Sequence, residues 1–75
     1  MSYKLQAIAF NKKYFTKEKA KVWLHEHKYK PISNRTVKNF YRFRLVEPNE
    51  DKYKYRVHWI DKDKMFLVLE YPKNE

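Results

Sequence analysis

The residues in this chain best suited to holding a ligand are arginines set beside aromatic rings. In the stretch Lys38–Val46, Lys-Asn-Phe-Tyr-Arg-Phe-Arg-Leu-Val, the two types alternate. A period of two puts Phe40, Arg42, Arg44 and Val46 on one face of a strand and Tyr41, Phe43 and Leu45 on the other. An aromatic ring can stack on a nucleobase, and a guanidinium fork can grip phosphate at two points or stack in its own right. A second cationic strand is predicted over Tyr53–Ile60. There Lys54, Arg56, His58 and Ile60 share a face and Tyr55, Val57 and Trp59 share the other. With the two strands side by side, Arg42, Arg44 and Arg56 would hold phosphates, Lys54 and His58 would assist, and Phe40 or Phe66 would stack. This expectation puts Arg42 and Arg56 on one face, opposite Trp59. The competing reading is a solvated sheet face on which long cationic stems cover apolar neighbours.

Other chemistries find less to work with. His25 and His27 are two residues apart and point about 200° apart on a helix, so they cannot share a metal ion. Leu-His-Glu-His-Lys lacks the four-residue histidine spacing of the zincins. Asp61 and Asp63 could hold a divalent ion with water's help, but no nucleophile or oriented base lies nearby. There is no cysteine and no glycine, so a thiolate site and a glycine-rich phosphate loop are both excluded. The expectation is a chain that is not an enzyme and carries no cofactor.

Lys and Arg number 18 against nine Asp and Glu, a formal charge of +9 over 75 residues. That excess favours a polyanionic partner: nucleic acid, an acidic protein surface or anionic lipid. AT-rich coding would also enrich lysine and tyrosine, so the placing of the arginines says more than the total. No apolar run approaches the roughly 20 residues of a membrane span, and no secretory h-region opens the chain. A cytoplasmic protein is expected, in host cytoplasm or virion if it is viral.

The elements that must position these residues follow from periodicity. One domain over residues 1–75 is expected. A domain of this size buries only about 60% of its unfolded surface, and its two Trp, seven Tyr and five Phe supply large side chains for that core. Tyr3–Phe10 alternates with both faces partly apolar and reads as a strand, its small Ala7 and Ala9 leaving room for something to pack over them. Thr16 is a suitable N-cap, with Phe15 and Ala20 at the positions of a hydrophobic staple. Ala20, Trp23, Leu24 and His27 then make one face of a helix over about Lys17–His27, which Pro31 ends. Ile32–Val37 is polar and reads as a connection. The acidic, proline-containing Glu47–Asp51 separates the two cationic strands. Met65–Tyr71 is a last strand, apolar on both faces. Its Met65–Leu69 part is the expected edge for a homodimer contact.

The predicted class is α+β: an antiparallel sheet of three or four strands in the order β-α-β-β-β, the last three a meander, with one helix on one face. Trp23 and Leu24 would pack on Tyr41, Phe43, Leu45, Tyr55, Val57 and Trp59. The uncovered face would carry the candidate site: Phe40, Arg42, Arg44, Lys54, Arg56, His58 and Phe66.

Taken together, Phe15-Thr16, Trp23-Leu24, Tyr29-Lys30, Phe40-Tyr41-Arg42-Phe43-Arg44, Tyr55-Arg56 and Phe66-Leu67-Val68-Leu69 resemble a small domain found in uncharacterised proteins of tailed phages and giant DNA viruses. Val57 and Glu70 depart from that pattern. The resemblance implies a viral or mobile-element setting and brings no assigned activity. Three functions fit: a nucleic-acid-binding protein, a protein-interaction module such as an inhibitor of a host defence enzyme or a minor virion component, and a nucleotide-binding sponge.

Overall fold

The computed structural model describes residues 3–73. It contains five strands and one helix: β1 (Lys4–Asn11), α1 (Lys17–Glu26), β2 (Ser33–Thr36), β3 (Phe40–Arg44), β4 (Tyr53–Ile60) and β5 (Met65–Pro72). The α+β class and the antiparallel sheet with one helix on it are as expected. The strand count is five because Ser33–Thr36, read as a connection, pairs antiparallel with β3. A two-residue turn, Lys38-Asn39, joins them, closed by the Val37 amide donating to the Phe40 carbonyl at 2.9 Å.

The spatial order is β2-β3-β1-β5-β4, and the last strands do not form a meander. β3 pairs with β1, and β4 pairs only with β5, at the far edge. The reason lies in which strand tolerates burial on both faces. In β1, Ala7, Ile8, Ala9 and Phe10 are all fully buried. β4 carries Lys54 and Arg56, cations that suit an edge and discourage further pairing, with the polar His58 beside them. Met65–Leu69 consequently lies inside the sheet between β1 and β4, and the edges are β2 and β4. The backbone of Met65–Leu69 is thus already paired on both sides, and a homodimer through an edge strand would have to use β2 or β4.

One irregularity sets which side chains share a face. Leu5 pairs with Leu69 and Ala7 with Val68, so Gln6 is an extra residue in β1, a β-bulge. The bulge places Leu5 on the same side as Ile8 and Phe10, where strict alternation would set it opposite. Gln6 is itself buried and bonded: Nε2 donates to the Val46 carbonyl at 3.0 Å, and its own carbonyl accepts from Leu45 at 2.8 Å.

The helix starts as predicted. Thr16 Oγ1 accepts from the Lys19 amide at 3.2 Å, and Phe15 packs against the core. Ala20 and Leu24 are buried against Ile8, Phe10, Phe43 and Met65. Phe10 is the hub, its ring meeting Phe15, Trp23 and Phe43 edge-on at 5.0, 5.6 and 5.7 Å, an arrangement favoured by the aromatic quadrupole. His27 is the C-cap, its ring stacked on Trp23 at 3.8 Å.

The helix ends in a Schellman motif. The Tyr29 amide donates to the Leu24 carbonyl at 2.9 Å and the Lys28 amide to the His25 carbonyl at 3.0 Å. The motif requires a left-handed residue, normally glycine, and here it is Lys28 at φ 63°. A side chain in that region costs roughly 1–2 kcal/mol. Glycine gives part of the relief back through its freer unfolded chain. Lys28→Gly is therefore expected to stabilise the fold by about 0.5–1 kcal/mol and raise Tm by about 2–8 °C, as read by thermal unfolding.

Candidate nucleic-acid interface

Directly paired residues in an antiparallel sheet point to the same face, so the registers can be read as rows across the molecule. On the helix side one row is Thr36, Tyr41, Phe10, Met65, Ile60 and the next is Asn34, Phe43, Ile8, Leu67, His58. On the uncovered side one row is Arg35, Arg42, Ala9, Phe66, Trp59 and the next is Ser33, Arg44, Ala7, Val68, Val57. Phe40 stands on this same side, opposite Asn11.

These rows divide the predicted site. Phe40, Arg42, Arg44 and Phe66 come together on the uncovered face. Lys54, Arg56 and His58 do not. They are exposed on the helix-bearing face of the edge strand β4, in line with Tyr71, Leu69 and Leu67. Arg42 and Arg56 therefore lie on opposite faces, and the strand order sets their strands three spacings apart. The physical cause is the β4–β5 hairpin. Ile60 pairs with Met65, which belongs to the core, and this pairing turns Trp59 to the other face beside Phe66. Trp59 is 49% exposed and Val57 56% exposed, so neither belongs to the helix-side core expected of that face.

Trp59 instead completes an aromatic cluster. Ring centroids are 4.9 Å apart for Trp59 and Phe66, 5.3 Å for Phe40 and Phe66, and 6.0 Å for Phe40 and Trp59. Phe40 and Phe66 sit on strands separated by β1, about 10 Å apart by sheet geometry. They meet because Ala9, lying between those strands, presents only a methyl group. Ala7 and Ala9 thus make room for side chains over the open face, while the helix packs on the other.

The cationic half lies on β3 and β2. Arg42 is exposed and Arg44 half-buried. Together they form a ridge between two clefts. One, of about 230 Å³, is lined by Ser33, Asn34, Arg35, Arg42 and Arg44. The other, of about 300 Å³, is lined by the same two arginines with Gln6, Pro48, Glu50, Tyr55 and Val68. Tyr55, in its lining, accepts at Oη from the Asn49 amide at 2.6 Å, and its hydroxyl donates to Glu70 Oε1 at 2.9 Å. Burial, together with the neighbouring Glu70 carboxylate, pushes the Tyr55 phenol above its ordinary value. Glu70 is thus a buried acceptor with a partner.

Two residues of this face were missed from sequence. Arg35 lay in the presumed connection; the signal for its strand was β-branched Thr36 and Val37 followed by a short polar turn. Trp59 is expected inward because alternation groups it with Tyr55 and Val57 as the helix-facing set; the signal against this is the apolar pair Ile60 and Met65 flanking a charged turn. Among the described residues, no group of three or more His, Asp or Glu is placed to hold a metal ion, and no helix is long and apolar enough to cross a membrane.

Comparison with protein-family models, with curated proteins and with solved structures finds no match. The resemblance to the viral domain therefore rests on the quoted residues alone.

Arg35 and Arg42 face each other directly, and like charges in that relation weaken a sheet. Arg35→Thr removes the repulsion and keeps a good strand former. It is expected to stabilise the fold by about 0.2–1 kcal/mol, read as a small rise in Tm at low salt that shrinks as salt is added.

Proposed function

We propose that this protein binds single-stranded nucleic acid across the open face of its sheet. The observation that carries the proposal is the juxtaposition, on that one face, of the Phe40–Trp59–Phe66 ring cluster with Arg42 and Arg44. Rings accept bases of any sequence because every base has a stacking face, while arginines take the phosphates. A duplex keeps its bases stacked inside and offers the rings nothing, so an unpaired strand is the substrate that uses both halves. β3 and β4 are three strand spacings apart, about 14 Å. The strand would run with its backbone toward β3 and its bases toward β5 and β4. Lys54, Arg56 and His58 face away and add only to the general attraction of a +9 chain.

A docking face for an acidic protein is the second reading, favoured by the exposure of Val57 and Trp59 on an edge strand. In a viral setting, which the resemblance implies, such a face would suit an inhibitor of a host enzyme. Retention of a partner after nuclease treatment would support it.

The test separates face from charge. Trp59→Ala leaves net charge untouched and is expected to cost about 1–3 kcal/mol in affinity for an oligonucleotide, as one lost stacking contact. Arg42→Ala and Arg56→Ala change charge equally, yet only Arg42→Ala should flatten the dependence of log affinity on log salt, by about 0.7. Binding indifferent to Trp59→Ala, or equally sensitive to the two arginine changes, would sink the proposal.

A further inference from the structure

The cationic edge of the open face holds a pairing that the fold alone disfavours. Arg35 and Arg42 are direct cross-strand partners, and arginine cannot relieve its repulsion by losing a proton. Arg44 lies one row away, opposite Ser33. All three arginines line the cleft of about 230 Å³ with Ser33 and Asn34. Among the described residues its lining holds no carboxylate; Glu50 lines the cleft on the other side of the Arg42–Arg44 ridge.

Three guanidiniums exceed what one internal phosphodiester needs, because that group carries a single negative charge. A phosphomonoester carries about −1.5 to −2 at neutral pH and three free oxygens. Arginine forks can grip such oxygens in pairs. The position agrees with this. β2 is the edge of the sheet, so a strand lying across the ring cluster and the ridge reaches the cleft where the protein surface ends. We propose that the Arg35–Arg42–Arg44 cleft is a subsite for a phosphate bearing more than one negative charge. This is the terminal phosphate of a nucleic-acid strand or the oligophosphate of a free nucleotide. The inference rests on the nucleic-acid reading of this face and narrows it to strand ends or nucleotides. Arg35 is the residue that makes the difference, since Arg42 and Arg44 also serve the neighbouring cleft.

The experiment compares oligonucleotides of one sequence bearing a 5′-phosphate, a 3′-phosphate or hydroxyls at both ends, by fluorescence anisotropy, with inorganic tripolyphosphate as competitor. One phosphorylated end is expected to bind about tenfold tighter than the hydroxyl strand. Arg35→Gln should bring that ratio to near one, and Arg56→Gln, on the other face, should leave it intact; circular dichroism checks that each variant is folded. Tight strand binding with no preference for a phosphorylated end overturns the subsite and leaves the interface standing. No strand binding, with tripolyphosphate still held by the wild type and lost in Arg35→Gln, overturns the interface and assigns the subsite to free oligophosphates. Binding of neither removes both.

Discussion

The double burial of β1 is the constraint on which the rest of this structure depends. A strand in the middle of a five-stranded sheet must present acceptable side chains to both layers. Residues 7–10 do so by alternating small with large: Ala7 and Ala9 on one side, Ile8 and Phe10 on the other. The large pair nucleates the helix-side core, where Phe10 gathers three aromatic neighbours. The small pair keeps the opposite side low enough for Phe40 and Phe66 to meet above it. The ends of the strand are tied as firmly as its middle. Asn11 reaches the β4–β5 turn through its backbone amide to Lys64 and its side chain to Asp63, and Lys12 reaches the β2–β3 turn through Asn39. Gln6 holds the other end to Leu45 and Val46.

How much of this was legible in the sequence follows from the range of the forces involved. Local signals were readable: the Thr16 cap, the Ala20–Leu24 face and the bounds of Tyr53–Ile60 all depend on neighbours within a few residues. Strand order was not, because β3 choosing β1 over β4 is decided by which strand can be buried twice, a comparison across the whole chain. The same holds for the face of Trp59. Alternation predicted correctly that Trp59 opposes Arg56, but not which of the two looks toward the helix. A pairing one residue out inverts that answer, and here it is set by Ile60 meeting Met65. The Gln6 bulge escapes any strict period-two reading for the same reason.

For the candidate site the consequence was a partial gain. The stretch Lys38–Val46 supplies Phe40, Arg42 and Arg44, which share one surface with Phe66. The partners expected for them on β4 face the other way, and their places are taken by Trp59 and Arg35. That surface combines rings with arginines. Its geometry is different: Arg42 and Arg44 stand with Phe40 on β3, and Phe66 and Trp59 stand beyond an alanine floor on β5 and β4.

That division has an origin in the chain's connectivity. The arginines belong to one hairpin, β2–β3, and most of the rings to another, β4–β5; β1, made first, lies between them. Each hairpin closes through near neighbours and can form early, whereas their union on β1 closes much longer loops and comes at greater entropic cost. The surface therefore has no existence below the level of the assembled domain. A peptide of either hairpin retains only part of the chemistry, and any partial unfolding that frees β1 separates the arginines and Phe40 from Trp59 and Phe66 while both hairpins remain intact.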